Sequence, residues 1–268
     1  MSTASRRLGL SRSLIVLGGG TLVAAPVLLA DASQVSARTA ACPRLAEATA
    51  LPRWPRGGQL VGDIDGDGIP DRVVIRYSRN SLASCGFLLV VNTHGSLLAT
   101  RIRVGDELGT NVTIREWRAS ASDGDPYLAA IVRLASNRAQ IVVSRWHGAS
   151  IAKVSLYGAV GPNLAQLGFR PRLYQDELFL FGSVGTGQTY ARCVPRGPLM
   201  LLSMGPTGAG GRRWIVVRSR YRLTGRRFGV TRRRTIRTSP RRAFRVADRW
   251  GISRLPFSGC TVDRGRRL

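Results

Sequence analysis

The sequence is poor in the side chains that most enzymes use for acid–base and nucleophilic chemistry. It has 2 histidines, 15 acidic residues and 4 cysteines among 268 residues. Both histidines, His94 and His147, precede a glycine at matching places of an internal repeat. This equivalence indicates turn geometry, because a catalytic triad uses one histidine once. The sequence also lacks the G-x-S-x-G, H-E-x-x-H and phosphate-loop motifs, and we predict a protein without catalytic activity.

Negative charge is scarce, and the formal net charge is +26 at pH 7. Lys153 is the single lysine, and the segment from Arg212 to Leu268 contains 19 arginines against two acidic residues. A positive field of this size attracts polyanions in a salt-dependent way. We therefore predict a polyanion-binding surface, with solvated strand faces as the alternative. The candidate residues are Arg226, Arg227, Arg232, Arg233 and Arg234.

Long hydrophobic runs are also rare, and the clearest one extends from Leu14 to Ala30 after three arginines. Basic residues, an apolar run and then small residues form the pattern of an export signal, which we assign to residues 1–37. The run has 17 residues and contains glycines and a proline, so it is at the short limit for a membrane span. We expect a secreted or cell-envelope protein, with membrane association only if the signal stays uncleaved.

An exported cationic protein meets a limited set of polyanions. We expect an anionic envelope polymer or an extracellular polyanion as the partner, such as acidic polysaccharide, phospholipid headgroups or extracellular DNA. An intracellular nucleic acid is not expected, because it conflicts with the export signal. A protein ligand is the other partner class for a non-catalytic module.

The four cysteines show no C-x-x-C pair and have no histidine nearby in the sequence. An even number of cysteines in an exported chain indicates two disulfides rather than a metal site. Four cysteines allow three connectivities. From sequence order we favour Cys42–Cys85 and Cys193–Cys260, with free buried thiols as the alternative.

The most informative stretch is Gly62 to Ile75, which reads GDIDGDGIPDRVVI. Its aspartates occupy positions 1, 3, 5 and 9 of a loop whose sixth position is Gly68. Clustered carboxylates repel one another, and Ca²⁺ relieves this repulsion because it takes 6–8 oxygen ligands in flexible geometry. An EF-hand is excluded because position 12 is Val74, in a predicted strand, where that motif requires glutamate. The predicted calcium ligands are Asp63, Asp65, Asp67 and Asp71, with the backbone carbonyl of Ile69 at position 7.

This pattern of aspartates and glycines followed by a short aliphatic strand resembles the FG-GAP (VCBS-type) repeat of integrin-α-like β-propellers. The resemblance is close over the loop and the strand after it. It implies that the loop binds Ca²⁺ between adjacent strands of a propeller blade, with the four aspartates as side-chain ligands. An aspartate- and glycine-rich surface turn without an ion is the alternative.

An internal repeat extends the same interpretation along the chain. The Asp-Gly-Asp triplets at residues 65–67 and 123–125 are 58 residues apart, and a period of about 50 residues is typical of propeller blades. The second triplet keeps only part of the ligand set, so we expect one good ion per chain. The sequence predicts a signal at 1–37, an N-terminal arm at 38–58 and a single β domain at 59–268, with repeat units at 59–104, 111–157, 163–204 and 212–250.

Short candidate strands with frequent glycine and proline predict an all-β fold. Outside the signal, a helical period is suggested only at residues 44–50. We expect a small or incomplete propeller-like array of about four antiparallel β-sheet units, with a β-sandwich as the alternative. The function that we predict is non-catalytic binding or adhesion at the cell envelope, with structural Ca²⁺. The alternatives are a polyanion binder and a secreted hydrolase with a structural calcium site.

Overall fold

Short apolar segments separated by glycine-rich turns form strands, which confirms the all-β class. The computed structural model describes residues 42–79, 85–104, 124–134, 138–147, 151–171, 173, 176–181, 187–193, 197–207, 211–249, 257 and 261–263. The predicted signal segment therefore lies outside the described residues. The first sheet contains, in this order, β1 (Gln59–Gly62), β2 (Asp71–Tyr77), β3 (Phe87–Asn92) and β4 (Leu97–Ile102).

The second sheet is larger and contains the remaining strands. Its chain order is β5 (Tyr127–Val132), β6 (Gln140–His147), β7 (Ile151–Val160), β8 (Asn163–Gln166), β9 (Gly168–Arg170), β10 (Leu178–Phe181), β11 (Gln188–Cys193), β12 (Leu199–Thr207), β13 (Arg213–Thr224), β14 (Arg227–Thr238) and β15 (Thr261–Asp263). All its pairings are antiparallel except the parallel pair of β9 and β14.

The two central strands of the first sheet, β2 and β3, are buried on both faces over most of their length, which explains their nearly continuous hydrophobic runs. On one face, Ile75 and Leu89 belong to a core that also includes Ile131 and Ile141 of the second sheet. On the other face, Val74 and Leu88 pack with a short 3-10 helix, Leu45–Ala50. The predicted helical period at residues 44–50 coincides with this element. The first of these cores lies between the first sheet and strands β5 and β6 of the second sheet.

The second sheet differs from the predicted array of separate units. Strand β7 pairs with β10, and β12 pairs with β13, so the three later repeat units are hydrogen-bonded edge to edge in one sheet. Among the described strands there is no closed ring of blades. The physical reason is that the strand edges which would end a blade are paired with the next unit instead of being left open. The later repeat units in the sequence therefore correspond to successive groups of antiparallel strands within one sheet.

Strands β8 and β9 connect two distant parts of this sheet. Strand β8 pairs with the second half of β7, and after Leu167 the chain continues as β9 along β14. The ring of Phe169 in β9 stacks on Phe228 of β14, with centroids 5.2 Å apart. This pairing joins residues about 60 positions apart in sequence, and no local pattern predicts it.

A helix, α1 (Pro240–Arg249), packs on β12 and β13. Its buried Ala243 and Ala247 form a third core with Leu202 and Trp214. This helix was not predicted from the sequence, because its 10 residues are too few to show a clear helical period. Proline at its first position is a start signal that could have indicated it. Within the described part of the chain, the helices are too short or too polar to cross a bilayer.

Candidate metal site

The aspartate loop is the connection between two directly paired strands. Gly62 at the end of β1 pairs with Asp71 at the start of β2. The intervening residues 63–70 are therefore held at both ends by the antiparallel ladder. Ile64 anchors the loop because its side chain is fully buried in the core shared by the two sheets.

Three of the four predicted carboxylates converge. Ligand oxygens of Asp63, Asp65 and Asp71 all lie within 4.8 Å of one another. Oδ2 of Asp71 accepts hydrogen bonds from the backbone N–H groups of Ile64 at 2.7 Å and Asp65 at 3.3 Å. Oδ1 of Asp63 accepts from the Gly66 N–H at 2.7 Å. These three side chains form a group of oxygen donors that could hold a metal ion.

Asp71 is the least solvated member of the group. Its side chain is buried, with 1% of the residue exposed, and its Oδ1 atom has no hydrogen-bond partner. Burial raises the pKa of Asp71, the hydrogen bonds from Ile64 and Asp65 lower it, and the charges of Asp65 and Asp67 raise it. A buried carboxylate oxygen without a partner costs free energy. A cation between these carboxylates would satisfy that oxygen and offset the repulsion, so the donor set fits a metal ion.

Two glycines give the loop its shape. Gly66 has φ of 90° and Gly68 has φ of 87°, a region that other residues rarely adopt. Gly68, at the sixth position of the loop, therefore turns the backbone with positive φ. These turns direct the backbone amides of Gly66 and Ile69 onto aspartate side chains of the loop.

Asp67 and Ile69 lie on the outer side of the loop. Asp67 is exposed and outside the three-carboxylate group. Its Oδ1 atom accepts a hydrogen bond from the Ile69 N–H at 2.7 Å. Oδ1 of Asp65 in turn accepts from the Asp67 N–H at 3.1 Å. The roles of the Asp67 side chain and the Ile69 carbonyl as ligands remain predictions.

The second sheet contacts the loop from one side. The Ala139 N–H donates to the backbone carbonyl of Asp63 at 2.8 Å. Nη2 of Arg133 lies 3.9 Å from Oδ2 of Asp63, a distance that gives only a weak ion pair. At Gly66, an added Cβ would lie 2.7 Å from Cγ of Arg138. The loop therefore contacts the connection between β5 and β6 as well as its own hairpin.

The second, incomplete aspartate triplet does not form a comparable group among the described residues. Asp123 lies outside them, and Asp125 makes an ion pair with Arg56 at 2.8 Å. The two histidines of the repeat lie in the connection between β3 and β4 and at the end of β6. His94 and Gly95 form a turn between β3 and β4, closed by the Thr93 N–H donating to the Ser96 carbonyl at 3.0 Å, whereas the side chain of His147 is outside the described part.

One predicted disulfide is confirmed. Cys42 and Cys85 are bonded, with their Cα atoms 5.5 Å apart and a sequence separation of 43. This bond ties the segment before the 3-10 helix to the start of β3. Cys193 is also disulfide-bonded, and Cys260, its predicted partner, lies outside the described residues. A disulfide is consistent with an extracellular location.

The predicted polyanion-binding arginines do not form one group. Arg226 and Arg227 line a cavity of about 660 Å³ together with Arg101 and Arg103. Arg232 and Arg234 line a separate cavity of about 160 Å³ with two arginines that the sequence analysis did not single out, Arg218 and Arg220. Arg233 projects to the opposite face of β14, because neighbouring residues of a strand alternate between faces. The pairing register of β13 and β14 determines which of their arginines share a face, and the sequence alone did not give this register.

Comparison of the chain with protein-family models, with curated proteins and with solved structures finds no match. The functional interpretation therefore depends on the geometry of the chain itself.

A buried ion pair forms a second polar cluster in the core. Nη2 of Arg145 in β6 donates to Oε1 of Glu177 at 2.5 Å, and the Ser155 hydroxyl lies 3.1 Å from the same oxygen. Burial raises the pKa of the neighbouring Tyr157 phenol, the Arg145 charge lowers it and the Glu177 charge raises it. The cluster is enclosed in the core, where Arg145, Ser155 and Glu177 are all buried.

Proposed function

We propose that the protein is an exported, non-catalytic binding module in which the Asp63–Asp71 loop binds one structural Ca²⁺ ion. One observation supports this proposal above the others. The buried Oδ1 atom of Asp71 lacks a hydrogen-bond partner beside two further carboxylates. An unoccupied arrangement of this kind leaves both charge repulsion and a desolvated oxygen without compensation.

The donor chemistry favours calcium over other cations. The loop offers carboxylate and carbonyl oxygens, and it contains no histidine or cysteine for a softer metal. Ca²⁺ accepts 6–8 oxygen ligands in flexible geometry, whereas Mg²⁺ requires a near-ideal octahedron and retains several waters. Asp63, Asp65 and Asp71 would hold the ion, with the Asp67 carboxylate and the Ile69 carbonyl completing the set from the exposed side of the loop.

A structural role follows from the position of the loop. It joins β1 to β2, and through the Ala139 amide it is hydrogen-bonded to the second sheet. An ion that binds only the folded loop adds its binding free energy to the stability of the fold. No reacting group is required for this role, so the calcium proposal does not imply catalysis.

Location supports the same proposal. Calcium modules that work outside cells bind with dissociation constants of about 10⁻⁴–10⁻³ M, and the Cys42–Cys85 disulfide suits an oxidising compartment. We infer that the module acts in the cell envelope or beyond it, in binding or adhesion.

Isothermal titration of the calcium-stripped full chain with CaCl₂ tests the proposal. We expect one Ca²⁺ per chain, with binding weakened by about tenfold or more in Asp65→Asn, since each carboxylate contributes strongly to the charge of the site. Asp125→Asn is the matched control outside the loop and should bind like the wild type. Wild-type protein that takes up no Ca²⁺ at millimolar concentrations would overturn the proposal.

A further inference from the structure

Strands β13 and β14 place four arginines in two directly opposed pairs. Arg218 lies opposite Arg234, and Arg220 lies opposite Arg232. Side chains opposite each other in an antiparallel pair have Cβ atoms about 4.5–5.5 Å apart, and like charges there are destabilising. Two such pairs on consecutive same-face positions are an arrangement that stability alone would not favour.

A β-bulge brings these arginines onto one face. Val230 lies opposite Tyr221 in the core, and a regular ladder would then place Thr231 opposite Arg220. The register shifts between Arg220 and Tyr221, so that Thr231 becomes the extra residue and Arg232 faces Arg220. The Thr231 hydroxyl donates to the Arg220 carbonyl at 3.3 Å. Without the bulge, Arg232 and its same-face neighbour would project to the other side of the sheet.

The four arginines line a small cavity on β12, β13 and β14. Its volume is about 160 Å³, and its other lining residues are Met200 and Ser219. Among the described residues, no acidic side chain lines this cavity. Burial lowers the pKa of Arg218, and the charges of Arg234, Arg220 and Arg232 lower it further.

We propose that this cavity is a binding site for phosphate groups of a phosphate-bearing polyanion, held by Arg218, Arg220, Arg232 and Arg234. A guanidinium group donates two parallel hydrogen bonds to a phosphate, and this fork geometry is the reason arginine is favoured for phosphate recognition. A phosphate group offers several oxygens that point in different directions, so guanidinium groups from two strands can share one group. A planar carboxylate has only two oxygens and a single charge.

Soluble polyphosphate and anionic lipid headgroups both present this chemistry. The exposed large apolar residues that the structure describes are Leu45, Val61, Ile69 and Leu97. None of them lines the arginine cavity. Met200, the one apolar residue in the described lining, is partly buried, so the cavity offers charges and no exposed large apolar side chain to insert, which favours the soluble source over a bilayer.

A matched pair of double variants tests the site in the full chain. Arg232→Gln with Arg234→Gln removes two guanidinium groups from the cavity. Arg233→Gln with Arg237→Gln removes the same charge from the same strand. These two arginines lie on the other face of β14, where they are opposite Ser219 and Ile215 of β13. Tripolyphosphate is titrated into each by calorimetry, and vesicles of phosphatidylglycerol or phosphatidylcholine are tested by sedimentation, all at the same calcium concentration.

We expect tripolyphosphate to bind the wild type and the Arg233/Arg237 variant similarly, and the Arg232/Arg234 variant about tenfold or more weakly, because charge-assisted hydrogen bonds are lost. Binding that depends on Arg232 and Arg234 but occurs only with phosphatidylglycerol vesicles would retain the phosphate site and identify lipid as its source. Equal weakening in both variants would show a general charge effect and overturn the site. Lack of binding to both probes would overturn it as well.

Discussion

The backbone N–H of Ile64 donates a hydrogen bond of 2.7 Å to Oδ2 of Asp71, across the base of the aspartate loop. The bond links Ile64, which anchors the loop in the core, to the buried carboxylate of Asp71. It leaves Oδ1 of Asp71 as the oxygen without a partner. The same side chain therefore stabilises the loop backbone through one oxygen and can serve a cation through the other.

The free energy of unfolding of the calcium-free protein should depend on pH through the titration of Asp71. Burial holds the pKa of this carboxyl above its ordinary value, so the folded state binds its proton more tightly than the unfolded state does. The resulting stabilisation is present below about pH 4, near the pKa of an unperturbed aspartate, and is lost as the pH rises through the raised pKa. Urea unfolding between these limits should show this loss in the wild type and not in Asp71→Asn. Parallel curves for the two proteins would contradict the assignment, and Asp125→Asn should follow the wild type.

Replacing Gly68 with alanine should strain the loop backbone without removing a proposed calcium ligand. Gly68 has φ of 87°, and an added Cβ would meet nothing within 4 Å, so the cost is backbone strain alone. We expect a loss of about 1–2 kcal/mol in the free energy of unfolding and weaker calcium binding. Gly95→Ala is the control, because that glycine lies in a turn without positive φ and also has open space around it. Denaturant unfolding of both variants measures the difference, and equal stability would contradict the strained geometry.

The buried ion pair should be far more sensitive to substitution than the exposed one. Glu177→Gln leaves the Arg145 guanidinium buried without its carboxylate, which typically costs about 3–5 kcal/mol. Replacing Arg145 with methionine and Glu177 with leucine together should restore most of this loss, because a well-packed apolar pair can substitute for a buried ion pair. Asp125→Asn breaks the pair with Arg56, whose side chain is 72% exposed, and should change stability by only about 0–1 kcal/mol. A mild effect of Glu177→Gln would contradict the burial of the pair.

Local sequence patterns predicted much of the strand content. Strand β3 (Phe87–Asn92) is an example, since an apolar run with β-branched and aromatic residues between turn residues identifies a strand. The parallel pair of β9 and β14 and the edge-to-edge pairing of β7 with β10 were not predictable, because both depend on residues far apart in sequence. The same limitation produced the expectation of separate blades.

For the candidate sites too, sequence patterns located the residues but did not predict their burial or the face of the sheet on which they lie. The spacing of aspartates and glycines was sufficient to locate the loop, and it could not indicate that Asp71 is buried or that Asp67 lies outside the carboxylate group. Among the arginines, sequence density identified β14 but grouped Arg233 with Arg232 and Arg234. The bulge at Arg220 determines which side each arginine occupies, and bulges leave little trace in composition.

Thermal unfolding with calcium and with chelator, in wild type and Asp71→Asn, tests the structural calcium ion most directly. A ligand at about one hundred times its dissociation constant stabilises the folded state by about 2.7 kcal/mol, which corresponds to a rise in Tm of roughly 5–10 °C for a domain of this size. We predict such a rise for the wild type and none for Asp71→Asn. In chelator the variant should melt at or above the wild type, because its neutral amide avoids the buried charge. A wild-type protein that melts at the same temperature with calcium and with chelator would contradict the proposal.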